Sequence, residues 1–445
     1  MVKDDGTMKY IHYIIILSFI ASTLFQIGAR NNFFIEISFA AIILYTVTSI
    51  FKSGLPSFCL YKMFHLFSLF FFGIAPLLQF KANARTWGAK EFSDADYLAT
   101  NVILLTLLFV FNIVYKNSNH IFRNKVRLKT IVAETRVFNI SKYRTKILVV
   151  ISLCCLVIIF QNNGFNIPRM LFRGIAGDTF EQGSQIAGLI ISKFIRPMPL
   201  VIFIYYGLCT NTNTAYKIVF FILGILTQSP TSVSRLQAAA LYIPLILFMV
   251  PFLRRGNNFT TVMVFGLLLI FPFLDNFRYF DASKEIRFGF NFDMFFEGHF
   301  DAHQMFMQVI SSDIITYGYQ LLGALFFYIP RAIWPSKPVG SGHFTAGEVG
   351  LSFPNISMPY LAEGYINFGI IGSILFAILM GFICKRFDVK YWEDQQNTTL
   401  RFRVQYLIFL GMLFFMMRGD LMSSTAYTMG MMASVYVVDK IAKTK

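Results

Sequence analysis

Charge is scarce in this chain. Asp, Glu, Lys and Arg make up 14% of its 445 residues, against about a quarter in soluble proteins. That is too little to clothe a water-facing surface. It excludes a soluble multidomain enzyme, a disordered chain and a collagen-like repeat. Cysteine is rare too, with five residues and no C-x-x-C spacing, so neither a disulfide framework nor a thiolate metal site is indicated. No P-loop, no G-x-G-x-x-G and no H-E-x-x-H occurs. Nucleotide binding and the helical zinc-protease arrangement are therefore not expected.

Apolar residues fill the gap. They form 56% of the chain, with 53 Phe and 21 Tyr, and mean hydropathy is +0.59. The apolar runs are continuous, whereas a membrane β-barrel alternates polar and apolar residues over about ten-residue strands. An all-α polytopic membrane protein is expected. About twenty apolar residues cross a bilayer. Twelve stretches qualify or nearly qualify: 10–27, 33–51, 63–80, 95–115, 147–161, 195–209, 218–228, 237–250, 259–274, 364–384, 404–417 and 421–438. The first lacks a small-residue cleavage site and reads as an uncleaved span.

The net charge of +16 would suggest nucleic acid in a soluble protein. In a membrane protein its position matters more than its total. Placing both termini in the cytoplasm puts 24 of the 39 Lys and Arg residues on inner segments. Residues 116–146 carry nine of them against one acid, Glu134. The positive-inside rule then fixes the orientation, and no nucleic-acid partner is expected.

Three parts follow: residues 1–274 with nine spans, a large outer loop at 275–360, and residues 361–445 with three spans and a cytoplasmic end. The outer loop is 86 residues long. Loops of that size are usually functional, and amphipathic helices lying over the membrane face are expected in it. Its segment Phe300–Ser311 reads as one such helix. Asp301, Gln304 and Gln308 fall on one side, Met305, Phe306, Val309 and Ile310 on the other. A carboxylate flanked by amides suits sugar hydroxyls. Asp301 is equally suited to a helix start, where the dipole favours negative charge. His299 and His303 stand four apart, but no third ligand follows from spacing, so no metal is expected. A structural, hydrogen-bonding or proton-accepting role for His303 stays open.

Five outer arginines run against the inward charge bias. Arg235 ends the proline-broken polar segment that starts at Thr227. Arg278, Arg287 and Arg331 lie in the large loop, and Arg418 opens an Arg-Gly-Asp turn. Surface pairing with Asp275, Asp281, Glu285, Asp293, Glu297 or Asp420 is one reading. A cradle for a phosphorylated lipid is the other, because the guanidinium fork matches phosphate oxygens. Glu36, near Arg30, is expected to form a surface pair. The first outer loop, Gly28–Asn32, lacks the acidic pair that metal-dependent lipid-phosphate sugar transferases place there.

Several short motifs resemble the bacterial O-antigen polymerases of the Wzy type. They are Phe300-Asp301-Ala302, Thr316-Tyr317-Gly318, Leu322-Gly323, Ile329-Pro330-Arg331, Trp334-Pro335, Lys337-Pro338 and Gly340-Ser341-Gly342. Pro359, Glu363, Tyr365, Asn367-Phe368-Gly369 and Gly372 follow, and the segment from Pro230 to Arg235 resembles an earlier motif. The resemblance covers roughly residues 225–385. At His303 the family more often carries tyrosine. The resemblance implies a fold like the integral-membrane glycosyltransferases of GT-C type. It implies polymerisation of undecaprenyl-diphosphate-linked oligosaccharide repeats at the periplasmic face of the inner membrane, without cofactor. It also implies a flippase, a chain-length regulator and a ligase as companions. A ligase-type glycan transferase and a lipid-linked oligosaccharide transporter are the alternatives, although the two matching halves usual in a transporter are not evident.

Under that reading, Arg235 and Arg331 are expected on the diphosphate, with Arg278, Arg287 and Arg418 in reserve. Asp301 is the expected base or acceptor-orienting group, followed by Glu363 and His303. Gln304 and Lys337 complete the expected substrate contacts.

Overall fold

The computed structural model describes residues 30–118, 138–172, 185–233, 235–270, 292–354, 356–393 and 398–443, with Ile16 and Gly28 besides. The expected first span therefore lies outside the described residues, as do Arg278 and Arg287. All regular structure among the described residues is helical.

Helix starts follow ordinary capping chemistry. α1 (Phe33–Ile50) begins at Asn32, whose side chain accepts from the Phe34 and Ile35 N–H groups. α2 (Leu60–Ala82) passes through a π-helical segment at Leu69–Ile74. α3 (Asp94–Asn117) starts with a reciprocal Ser93–Asp96 capping box. α4 (Lys142–Asn162), α5 (Ala187–Gly207), α6 (Thr214–Thr227), α7 (Arg235–Met249) and α8 (Asn258–Leu269) follow. The large loop holds α9 (Ala302–Ser311), α10 (Tyr319–Leu325) and α11 (Ser341–Val349). α12 (Tyr360–Trp392), α13 (Leu400–Arg418) and α14 (Leu421–Lys443) complete the chain.

Among the described residues, seven helices are long and apolar enough to cross a membrane: α1 to α5, α12 and α13. Twelve crossing stretches were expected. The 14-residue α6 and 15-residue α7 are too short alone, and α14 has the length but is not among the seven. The described residues thus form an all-helical bundle consistent with a polytopic membrane protein.

α2 is the centre of the bundle. Its apolar window is wholly buried, and α1, α3, α12 and α13 pack around it. Phe64 stacks on Phe111 of α3 at 3.6 Å, and Phe67 and Phe71 both meet Phe414 of α13 edge-on. Aromatic richness therefore serves the interior as well as the lipid face.

α12 is broken. Phe368 and Gly369 leave helical geometry, with Gly369 at φ 63°, ψ −153°, a region open essentially to glycine alone. The two arms fold together so closely that a Cβ on Gly372 would lie 2.0 Å from the Gly364 carbonyl oxygen. The break frees backbone carbonyls, and the loop before α10 satisfies them. Thr316 N–H and Oγ1 donate to Ile366 O at 2.6 and 2.9 Å, and Gly318 N–H donates to Asn367 O at 2.9 Å. The side chain of Asn367 accepts from Leu321 N–H at 2.7 Å. Two of the quoted motifs, Thr316-Tyr317-Gly318 and Asn367-Phe368-Gly369, are thus halves of one clasp.

α9 differs from expectation. It is buried against α2, α3 and α12 rather than exposing its polar side to water. Its polar side faces protein, so both sides are covered. Glu36 also differs. It pairs with Lys81 at 2.9 Å, while Arg30 pairs with Asp94.

Candidate active site

The site forms where α9 begins and α13 ends. Asp301 closes a short 3₁₀ turn, Gly298–Phe300, and immediately precedes α9. It makes no capping bond to the helix, so the helix-start role does not occupy its carboxylate. The side chain is buried and gathers donors from three distant segments. Trp87 Nε1 donates to Oδ2 at 2.8 Å. Ser357 Oγ donates to Oδ1 at 3.3 Å. Arg418 Nη2 pairs with Oδ1 at 3.1 Å and also donates to the Gly298 carbonyl. Burial pushes the Asp301 carboxyl above its ordinary value, and the Arg418 charge opposes that shift most strongly.

Trp87 is fixed by its surroundings. Its ring stacks on Phe353 at 5.1 Å, and its carbonyl accepts from Ser352 N–H at 3.0 Å. A Cβ on Gly298 would fall 1.8 Å from the indole, so only glycine admits this approach. Arg418 has capacity to spare, because its buried Nε has no hydrogen-bond partner. One guanidinium edge is engaged and one donor waits.

The turn after Arg418 carries a second carboxylate cluster. Asp420 caps α14, accepting from Met422 and Ser423 N–H at 3.0 and 3.3 Å. Its other oxygen accepts from Gly342 N–H of α11 at 3.3 Å. Glu363 is buried beside it, accepting from Leu421 N–H at 2.8 Å and Ser341 Oγ at 2.7 Å. Both acids therefore sit on the positive N-terminal ends of α11 and α14. Burial pushes the Asp420 carboxyl up, and the Gly342 N–H is the largest opposing influence. Arg418 pairs with Asp301 rather than with Asp420: the two neighbours reach in different directions and tie α13 to α9 and α14 to α11.

The remaining expected residues separate. His303 is buried, with Nε2 2.7 Å from Asn101 Oδ1 and its ring between Phe39 and Tyr97. Burial pushes it down to about 3, so it is neutral near pH 7. Gln304 binds protein on all sides: Oε1 accepts from Thr86 N–H at 2.9 Å, and Nε2 donates to Gln79 Oε1 at 3.0 Å and Ala84 O at 2.9 Å. Arg331 grips its own loop, donating to Lys337 O at 2.6 Å and Pro338 O at 3.1 Å. Lys337 donates to Phe327 O at 2.6 Å and Ile329 O at 3.0 Å. These two cations brace the segment leading into α11. Among the described residues, no group of three or more His, Cys, Asp or Glu side chains is placed to hold a metal ion.

The backbone of Arg235 opens α7; its side chain lies outside the described residues. The polar segment before it is held by a cation that the sequence reading passed over. Arg196 of α5 donates to Thr227 O at 2.9 Å and Ser232 Oγ at 2.6 Å. Lys193, one turn earlier, stands 3.7 Å from the centre of the Tyr427 ring. Gln228, which follows Thr227, is buried with both side-chain polar atoms unpartnered. Trp87, Ser357 and Arg196 were all missed. Trp87 carried some signal, as one of three tryptophans set in the polar stretch Arg85-Thr86-Trp87.

Residues 355–445 match the family model described as O-antigen polysaccharide polymerase Wzy. The match supports the Wzy-type O-antigen polymerase family. The matched segment contributes Ser357, Glu363, Arg418 and Asp420 to the candidate site, while Trp87 and Asp301 come from outside it. No curated protein and no solved structure matches the chain.

Proposed function

We propose that the chain polymerises oligosaccharide repeat units carried on undecaprenyl diphosphate. The product is O-antigen or a related surface polysaccharide, made at the periplasmic face of the inner membrane with both termini cytoplasmic. The observation that carries this reading is the buried Asp301–Arg418 pair, whose arginine lies in the family-matched segment.

The reaction needs two things. The bond from the anomeric carbon to the diphosphate oxygen must break, and a sugar hydroxyl must form a new bond to that carbon while losing its proton. A lipid diphosphate is already activated, so no nucleotide is required. Arg418 offers its unpartnered Nε to the departing diphosphate. As the guanidinium turns to phosphate, Asp301 loses its counter-charge in a buried setting, and its proton affinity rises. The acceptor hydroxyl's proton then passes to Asp301. One arginine thus couples leaving-group stabilisation to base strength. Trp87 and Ser357 hold the carboxylate in place.

Arg235 remains proposed for the diphosphate, with Arg196 as the residue that shapes its segment. Arg331 and Lys337 are proposed to present the α11 loop to substrate, and Glu363 to orient an acceptor hydroxyl. Arg278 and Arg287 stay in reserve. His303 and Gln304 are proposed to position α9 beneath Asp301. The flippase, chain-length regulator and ligase remain the proposed companions.

A gene deletion tests the function directly on a lipopolysaccharide gel. Loss of the polymerase leaves core bearing one repeat. Bare core with lipid-linked polymer would mean a ligase, and neither product would mean a transporter.

A further inference from the structure

A second charged site lies at the opposite end of the bundle. α3 has 24 residues, about 36 Å at 1.5 Å per residue. Asp94, near the Trp87 end, and Lys116 are therefore separated by roughly a bilayer core. Where α1, α3 and α12 finish, a cleft of about 260 Å³ opens between Lys52, Lys116 and Lys385, with Tyr61, Tyr115 and, as the one acid among the described lining residues, Glu393.

The chemistry of this cleft selects an anion. Among the described lining residues the cations outnumber the one acid, and Lys52 and Lys116 are the exposed ones. Asp388, one turn from Lys385, adds a second negative charge, but its oxygens are held inside the bundle, accepting from Leu60 N–H, Tyr61 N–H, Tyr115 Oη and Tyr406 Oη. Four bonds fill a carboxylate. The same bonds fix both tyrosine walls, and Lys385 Nζ rests 4.9 Å from the centre of the Tyr115 ring. The cleft is smaller than the roughly 300–1,000 Å³ usual for whole small-molecule ligands, which suits a headgroup better than a nucleotide.

The flank of the cleft identifies the source. Phe109, Ile113 and Lys116 lie at i, i+4 and i+7, on one face of α3. Phe109 is 55% exposed and Ile113 41%. An apolar track thus runs along the helix and ends at an ammonium group. Basic pockets between membrane helices on the cytoplasmic side bind anionic lipid headgroups.

We propose that this cleft is a binding site for the phosphate headgroup of an anionic phospholipid, with an acyl chain along Ile113 and Phe109. It is independent of the Asp301 site and of the reaction proposed there.

The test uses the full chain purified in detergent, with lipid retention read by native mass spectrometry. Phosphatidylglycerol is compared with phosphatidylcholine, and inorganic phosphate serves as competitor. A K52Q/K116Q variant removes two exposed charges at the cleft. A K142Q/K146Q variant removes two exposed charges at the start of α4. The first should retain phosphatidylglycerol less well by roughly fivefold per lysine, and the second should match the wild type. I113S keeps all three lysines and should lose lipid while leaving phosphate binding unchanged. Equal loss in both lysine pairs would reduce the effect to surface potential and overturn the site. Full retention by I113S, or displacement of the lipid by millimolar phosphate alone, would assign the cleft to a free anion and overturn the lipid.

Discussion

Arg418 and Asp301 lie 117 positions apart in the chain and form a 3.1 Å ion pair that joins the end of α13 to the start of α9. The carboxylate is buried and the guanidinium is not fully spent. Here the unmatched donor sits beside a carboxyl that burial has made a stronger base.

Trp87 should act through Asp301. Trp87→Phe removes the indole N–H but leaves a ring to stack on Phe353. Hydrogen bonds to charged groups contribute about 1.5–3 kcal/mol. Polymerisation should fall by roughly ten- to a hundredfold, with the thermal midpoint little changed. Unchanged chain-length ladders would remove Trp87 from the site.

The pH dependence follows from the direction of the Asp301 shift. The base works only when deprotonated, so activity should rise with pH through a limb above the ordinary carboxylate value of 3.8. Arg418 lowers this group, so Arg418→Gln should move the limb in its residual activity to higher pH. Stability runs the other way. A raised carboxyl favours the fold below its unfolded value, and that contribution is lost as pH rises through the folded value. Asp301→Asn should flatten this part of the stability profile. A limb unmoved in Arg418→Gln would show that another group titrates.

Gly369 should be irreplaceable for backbone reasons alone. Gly369→Ala forces a side chain into a glycine-only region, which costs about 1–3 kcal/mol. Its Cβ would also press on Ile315 at 3.3 Å. The variant should melt earlier and expose Thr316–Gly318 to protease. Wild-type melting would mean that the clasp is not needed.

How much of this was legible depends on distance along the chain. Ser93 with Asp96 three residues on, or Thr399 ahead of an apolar run, announces a helix locally. Asp301 stood out because it shares one polar helix side with Gln304 and Gln308. Its partners did not, because Trp87 and Arg418 reach it across 214 and 117 positions, and no local pattern encodes that. α9 looked interfacial because its two faces differ in polarity. Its polar face is in fact covered by Gln79, Thr86 and Ala84, and periodicity cannot tell water from a polar protein surface. Arg331 was expected on the diphosphate, whereas two of its five N–H donors are spent on carbonyls of its own loop.

We propose that Arg418 and Asp301 together perform sugar transfer from a lipid diphosphate. The most direct test is polymerisation of purified lipid-diphosphate repeats by wild type, Asp301→Asn and Arg418→Lys, with products resolved by chain length. Lysine keeps the charge and loses the planar fork. Loss of one preorganised donor costs about 3 kcal/mol, roughly a hundredfold in rate. Both folded variants should yield almost no product beyond the single repeat. Wild-type chain lengths and rates from either variant would contradict the account.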